Sequence, residues 1–113
     1  MGWSFLKKTV RSGMDIIHGG SIFLLGDVNP GGKIEAEGDI IVWGRLRGVA
    51  HAGVSGDRNA CIMALTMEPT QLRIADKVAR APSSPLEEFY PEVAHIAAEG
   101  IRITRAYDYS RLN

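Results

Sequence analysis

From Ile22 onward every sixth residue is aliphatic: Ile22, Val28, Ile34, Ile40, Leu46 and Ala52. A second series at the same step, Gly26, Gly32, Gly38, Gly44, Ala50 and Gly56, is glycine at every place but one. Neither a helix nor a simple hairpin has a reason to keep a period of six. A strand turns successive side chains to opposite faces. Within each hexad the first and third residues then point inward, and the fifth makes a corner. Glycine suits that corner because it tolerates positive φ and close backbone approach. Third positions read Leu24, Pro30, Ala36, Val42, Gly48 and Val54. Three hexads close a triangular coil of 18 residues. Thus Ile22-Phe23-Leu24-Leu25-Gly26 returns as Ile40-Ile41-Val42-Trp43-Gly44, and Gly38-Asp39 returns as Gly56-Asp57.

The expected fold is all-β: a short triangular β-helix forming a single domain over residues 1–113, each strand paired to the coil above and below. An antiparallel sandwich is the competing fold, but its turns are spaced about 8–12 residues apart, wider than here. After Gly56 the phase slips through the polar Asp57-Arg58-Asn59. Further strands are expected at Ala60–Leu65 and Gln71–Ala75, with Glu68-Pro69-Thr70 as a corner. Upstream, Met14–Ile17 and the turn His18-Gly19-Gly20 begin the pattern. Ser84-Pro85-Leu86-Glu87 has a capping-box outline and predicts a short helix through Tyr90, stopped by Pro91. Val93–Ala97 and Ile101–Arg105 read as two terminal strands.

Only 7% of residues are aromatic against 45% hydrophobic, so the core must be aliphatic. Lys plus Arg equals Asp plus Glu, 13 each, which leaves no global field for a polyanion and argues against nucleic acid. A single cysteine allows no internal disulfide and suits a reducing cytoplasm. No apolar run approaches the length of a membrane span. At the start, Lys7 and Lys8 follow a short apolar run, the reverse of a secretory signal. A short interfacial anchor is the other use such a segment could have.

Catalytic and metal chemistry is sparse. His18, His51 and His95 lack a second ligand at metal-binding spacing. Gly31-Gly32-Lys33-Ile34 fails the phosphate-loop pattern, and Cys61 stands among Ala60, Ile62 and Met63 as a small hydrophobe. No cofactor is expected. One enzymatic alternative remains, because hexads also build the hexapeptide acyltransferases, where His51 would be the candidate base. The period places His51 one coil beyond Lys33, as a surface polar residue. Phe23, Leu25, Ile41 and Trp43 fall on outward positions, where the 18-residue step stacks them into an apolar patch. Such a patch marks an interface unless the C-terminal segment around Phe89, Tyr90 and Ile101 covers it.

The stretches Leu25-Gly26-Asp27-Val28-Asn29-Pro30-Gly31, Ile34–Ile40, Val42–Gly48 and Ala52-Gly53 resemble the C-terminal domain of the division inhibitor MinC. Thr9-Val10-Arg11-Ser12-Gly13, Gly56–Ala60 and Gln71–Ala75 extend the likeness over about residues 8–105. The resemblance implies a right-handed β-helix that forms a homodimer through an apolar face. It implies binding to the ATP-bound dimer of MinD, with which such domains also form alternating copolymers. The protein would be cytoplasmic and reach the inner membrane only through MinD, where it would antagonise assembly of FtsZ. Arg11, Ser12 and Gly13 match the family's MinD-binding motif, while Met14 stands where that motif has glutamine. The family's N-terminal domain, its main inhibitor of FtsZ, is absent from these 113 residues. A self-assembling solenoid resembling bactofilins is a further alternative.

Overall fold

Alternation of inward and outward side chains along short strands sets the architecture of the chain, seen in a computed structural model that describes residues 2–80 and 90–109. Each coil contributes one strand to each of two parallel ladders and a brief extended stretch to a third side. The first ladder is built from β1 (Trp3–Lys7), β3 (Ser21–Leu25), β5 (Ile40–Leu46) and β7 (Ile62–Met67). The second is built from β2 (Asp15–His18), β4 (Lys33–Ala36), β6 (Val49–Ala52) and β8 (Gln71–Ile74). On the third side Val10 bridges Val28, Val28 bridges Leu46, and Leu46 pairs with Met67. The result is a triangular solenoid.

The core is the inward series of the hexads. Ile22, Val28, Ile34, Ile40, Leu46 and Ala52 are all fully buried, as are Leu24 and Val42. No buried polar or charged side chain interrupts them among the described residues.

The coil step varies. Trp3 pairs with Ser21, Asp15 with Lys33 and Ile22 with Ile40, each a step of 18. Between β4 and β6 the step is 16, since Lys33 pairs with Val49 (49 − 33). Between β5 and β7 it is 22, since Ile40 pairs with Ile62 (62 − 40). These three steps are even, and an even change keeps the inward parity of a strand, whereas a change of one residue would invert it. The β5–β7 ladder makes one such change at an irregularity between Val42 and Arg45, beyond which Leu46 pairs with Met67, a step of 21 (67 − 46). The bulge absorbs it, and both side chains stay buried.

The structure corrects the strict period in four places. His51 stacks on Glu35 rather than Lys33. Ala50 is not a corner but lies buried inside β6. Pro30 and Val54 are exposed rather than inward. The layer above Asp39 is supplied by Cys61 rather than Asp57, and the Asp39 carboxylate accepts the Cys61 N–H at 2.9 Å.

True corners do need glycine. A β-carbon on Gly26 would collide with the Lys8 carbonyl, and one on Gly44 with the Gly26 carbonyl. Beside them Asp27 accepts the Arg45 N–H at 2.7 Å, so the Gly-Asp pairs are rungs between coils.

The two ends of the solenoid differ. At the C-terminal end the edges of β7 and β8 are closed by antiparallel strands, β10 (Glu92–Ala97) and β9 (Lys77–Arg80). β11 (Gly100–Arg105) pairs with β10, and Ile96, Ile101 and Ile103 pack against the core. A four-residue helix, α1 (Ala106–Tyr109), follows. Such a cap hides backbone groups that would otherwise pair with another chain. At the N-terminal end β1 and β2 each have a neighbour on one side only among the described residues, and Leu6, Met14 and Ile16 are partly buried. The two terminal strands lie where the alternation predicts them. β1, β9 and α1 were not expected, and the helix expected from Ser84 through Tyr90 lies outside the described residues except for Tyr90, which is in no helix.

Candidate partner-binding surfaces

Arg11, Ser12 and Gly13 form an exposed turn between the third side and β2. The Met14 N–H donates to the Arg11 carbonyl at 2.9 Å. Gly13 has φ +86, the left-handed geometry that the third residue of a type II turn requires. The next coil repeats the device as Asn29-Pro30-Gly31-Gly32, with Gly32 N–H donating to the Asn29 carbonyl at 2.9 Å and Gly31 at φ +84. The Gly13 N–H donates to the Gly31 carbonyl at 3.0 Å and ties the two turns together. A β-carbon at Gly13 would meet nothing, so its outer side is open for approach.

Arg11 heads a column with Asn29 and Arg47 at steps of 18. Arg47 Nη2 donates to Asn29 Oδ1 at 3.1 Å, and the neighbouring Arg45 pairs with Glu68 at 3.1 Å. Arg11 alone in that column makes no side-chain hydrogen bond or ion pair among the described residues. A guanidinium held at a rigid corner with its donors unspent is suited to a bidentate carboxylate or an aromatic face on a partner. Met14 folds back so that its sulfur accepts the Arg11 N–H at 3.3 Å, while its side chain packs on the core. The side chain at that position therefore steadies the turn from within.

The outer face of the first ladder carries the second surface. Phe5, Phe23 and Ile41 are register partners, as are Lys7, Leu25 and Trp43. Phe5 stacks on Phe23 at 5.3 Å between centroids and 18° between planes, and Phe23 stacks on Trp43 at 6.0 Å and 23°. Trp3 (54%), Phe5 (58%), Leu25 (39%) and Trp43 (47%) are exposed, while Phe23 and Ile41 are half-buried beneath them. The described part of the C-terminal segment leaves this face open. Ile101 packs into the core, and Tyr90 lies under the Arg105 guanidinium at 4.1 Å. Phe89 lies outside the described residues. Tyr109 rests on His95 at 4.9 Å, beyond the fourth strand of the ladder. Trp3 and Phe5 were missed in the sequence, although Phe5, Phe23 and Ile41 are spaced by 18 and the step extends backward to reach them.

The histidines are occupied structurally. His51 Nε2 lies 3.1 Å from the Ala75 carbonyl. A carbonyl only accepts, so the proton sits on Nε2, and the ring braces the hairpin turn in which Ala75 holds φ +53. The other ring nitrogen is 3.9 Å from Glu35. A histidine so committed is ill placed to act as a base. His18 pairs with Ser4 at 3.3 Å and His95 with Thr104 at 2.9 Å. Burial, then the nearby Asp39, pushes the Cys61 thiol up to about 12, so it stays protonated and unreactive. No group of three metal-ligating side chains converges among the described residues.

Known proteins fit this geometry. The family described as septum formation inhibitor MinC, C-terminal domain, matches residues 4–106. A probable septum site-determining protein MinC from Nostoc is 62% identical over 107 residues, covering 95% of this chain and 29% of the relative. Its counterpart from Thermosynechococcus vestitus is 56% identical over 108 residues, 96% of this chain and 40% of the relative. This chain thus spans well under two thirds of the length of either. Among solved structures, a chain of the MinC:MinD cell division protein complex of Aquifex aeolicus superposes with a TM-score of 0.87 at 42% identity. That match covers 99% of this chain and 95% of the other.

Proposed function

This chain belongs to the family of MinC C-terminal domains, and from that premise we propose that it is the partner-binding domain of a division-septum inhibitor, with MinD as its partner. The observation that carries this reading is the rigid turn of Arg11, Ser12 and Gly13, whose guanidinium is exposed and has no partner among the described residues. A relative solved in a MinC:MinD complex shares this fold, which supports MinD as the occupant. Binding of the ATP-bound MinD dimer would bring the domain to the inner membrane from the cytoplasm. No described helix is long and apolar enough to cross a membrane. Held there, it would help antagonise FtsZ assembly away from midcell.

The aromatic face supports a second element of the same reading, a homodimer. Contiguous apolar patches rimmed by polar residues commonly serve as interfaces. A dimeric domain presents two Arg11 turns and can bridge two MinD dimers, which raises avidity without new contacts.

The test is capture of this domain by MinD in the presence of ATP and in its absence. Binding only with ATP is expected. Arg11→Ala should cost about 2 kcal/mol of binding, as hot-spot truncations do, with an unchanged β circular dichroism spectrum. A wild-type domain that ignores ATP-bound MinD would remove the function. A variant that binds as well as wild type would remove only the assignment of the turn.

A further inference from the structure

At the far end of β2 from the Arg11 turn, a groove of about 340 Å³ crosses three successive coils. Ile17 forms one wall and Val54 the other, with Ala36 in the floor between them. Both walls are exposed, Ile17 at 66% and Val54 at 41%. Glu35 and Glu37 add carboxylates to this apolar slot. We propose that the groove is a docking site for a protein segment presenting one lysine or arginine between apolar neighbours. The proposal does not rest on the MinD reading.

The lining selects that occupant. An apolar side chain alone would strip water from two carboxylates and return nothing to them. A bare metal ion would find no group of three ligating side chains among the described residues. A long cationic side chain satisfies both needs, because its aliphatic stem lies along Ile17 and Val54 while its head stays at the carboxylates.

The local charge balance favours a cation. Glu37 Oε1 accepts the Ser55 hydroxyl at 3.1 Å, and Glu37 has no ion-pair partner among the described residues. Glu35 is 3.4 Å from Lys33 Nζ and 3.9 Å from His51 Nδ1, but it also faces Asp15. Burial, then the charge of Glu35, raises the Asp15 carboxyl above its ordinary value even with Lys33 nearby. With His18 also in the lining and Glu35 beside Lys33 and His51, Glu37 is the groove carboxylate with no ion-pair partner among the described residues, and a docked cation would supply one.

The test is a methyl-detected NMR titration of the whole chain with the capped peptide acetyl-Leu-Arg-Leu-amide. The same peptide with norleucine in place of arginine is the control. The arginine peptide should shift the Ile17 and Val54 methyls and saturate at about 1 mM or below. Glu37→Gln should weaken it about threefold, the scale of one exposed ion pair, and added salt should weaken it further. Ile17→Ser should weaken both peptides. Both substituted side chains point to solvent, and unmoved methyls elsewhere would show that the variants fold. The proposal is overturned if those two methyls do not move, if norleucine does as well as arginine, or if the shifts gather on the aromatic face.

Discussion

A methyl group on Gly44 would land on the Gly26 carbonyl and press the Asp27 carboxylate that holds the Arg45 N–H. Backbone stands on the other side, so no side chain can swing away. Gly44→Ala should cost about 3 kcal/mol in a urea titration, at the upper end for overpacked sites. Gly56, unlike Gly44, has positive φ, +112, but a β-carbon there meets nothing. Gly56→Ala should cost about 1 kcal/mol, from backbone strain alone. Charged residues separate in the same way. The Asp76 carboxyl is held below its ordinary value by paired bonds from Arg58 at 2.9 and 2.6 Å. Its contribution is present above the unfolded value and is lost as pH falls. Asp15 has the opposite sign. Its carboxyl is raised, so ionisation costs stability in the folded state, and that cost disappears in acid. Asp15→Asn should therefore raise Tm at pH 7. The gain should shrink as pH falls through the carboxylate range, and thermal scans at pH 7 and at about pH 3 check the sign.

At the level of elements, the two parallel ladders use their outer faces differently. The second ladder turns Asp15, Lys33, Glu35 and Arg73 outward, a mixed polar surface. The first ladder turns out Phe5, Phe23, Ile41 and Trp43, and its aromatic stack climbs to the edge strand β1. Stacking against a neighbour on the same face adds about 0.5–1.5 kcal/mol per aromatic pair, so each ring holds the next in place. Trp43→Glu and Phe5→Glu should each shift the chain toward monomer in concentration-dependent sedimentation, with the β signature intact. If both variants associate as wild type does, this face has another use. Phe5 is the sharper probe, because among the described residues its strand pairs with β3 alone.

Over the whole molecule, stability is a sum of stacked coils. An inner coil is held by two neighbours and the first coil by one. Leu46 is fully buried, whereas Leu6, in the first coil, is only partly buried. Leu46→Ala should cost about 3 kcal/mol and Leu6→Ala about 1 kcal/mol in chemical unfolding. Amide exchange should be fastest in β1 and β2 and slowest in β5. The same asymmetry orders the surfaces. The C-terminal end is closed by the chain's own β9 and β10, and the Arg11 turn sits in the coil at the other end.

The six-residue series carried most of the fold in the sequence alone. A strand's two-residue alternation and a close-packed triangular interior leave only aliphatic residues for positions such as Ile22, Val28 and Ile34, and that demand is local. The Arg11-Ser12-Gly13 segment, by contrast, was singled out only by its likeness to the family's motif, and its form as an exposed turn with Gly13 at φ +86 came from the tertiary structure. What the period could not say was how coils above the second are aligned. Steps of 16 and 22 keep the inward parity of a step of 18, so strand alternation alone does not distinguish them. Yet they decide that His51 stands over Glu35 and braces Ala75, which leaves it structural. The groove between Ile17, Glu37 and Val54 was likewise hidden, because it joins residues from three coils that only the stacking brings together. The openness of the aromatic face depended on where the C-terminal strands pack. Ile101 and Ile103 turn into the core, and that is a choice of tertiary packing that no short stretch of sequence encodes.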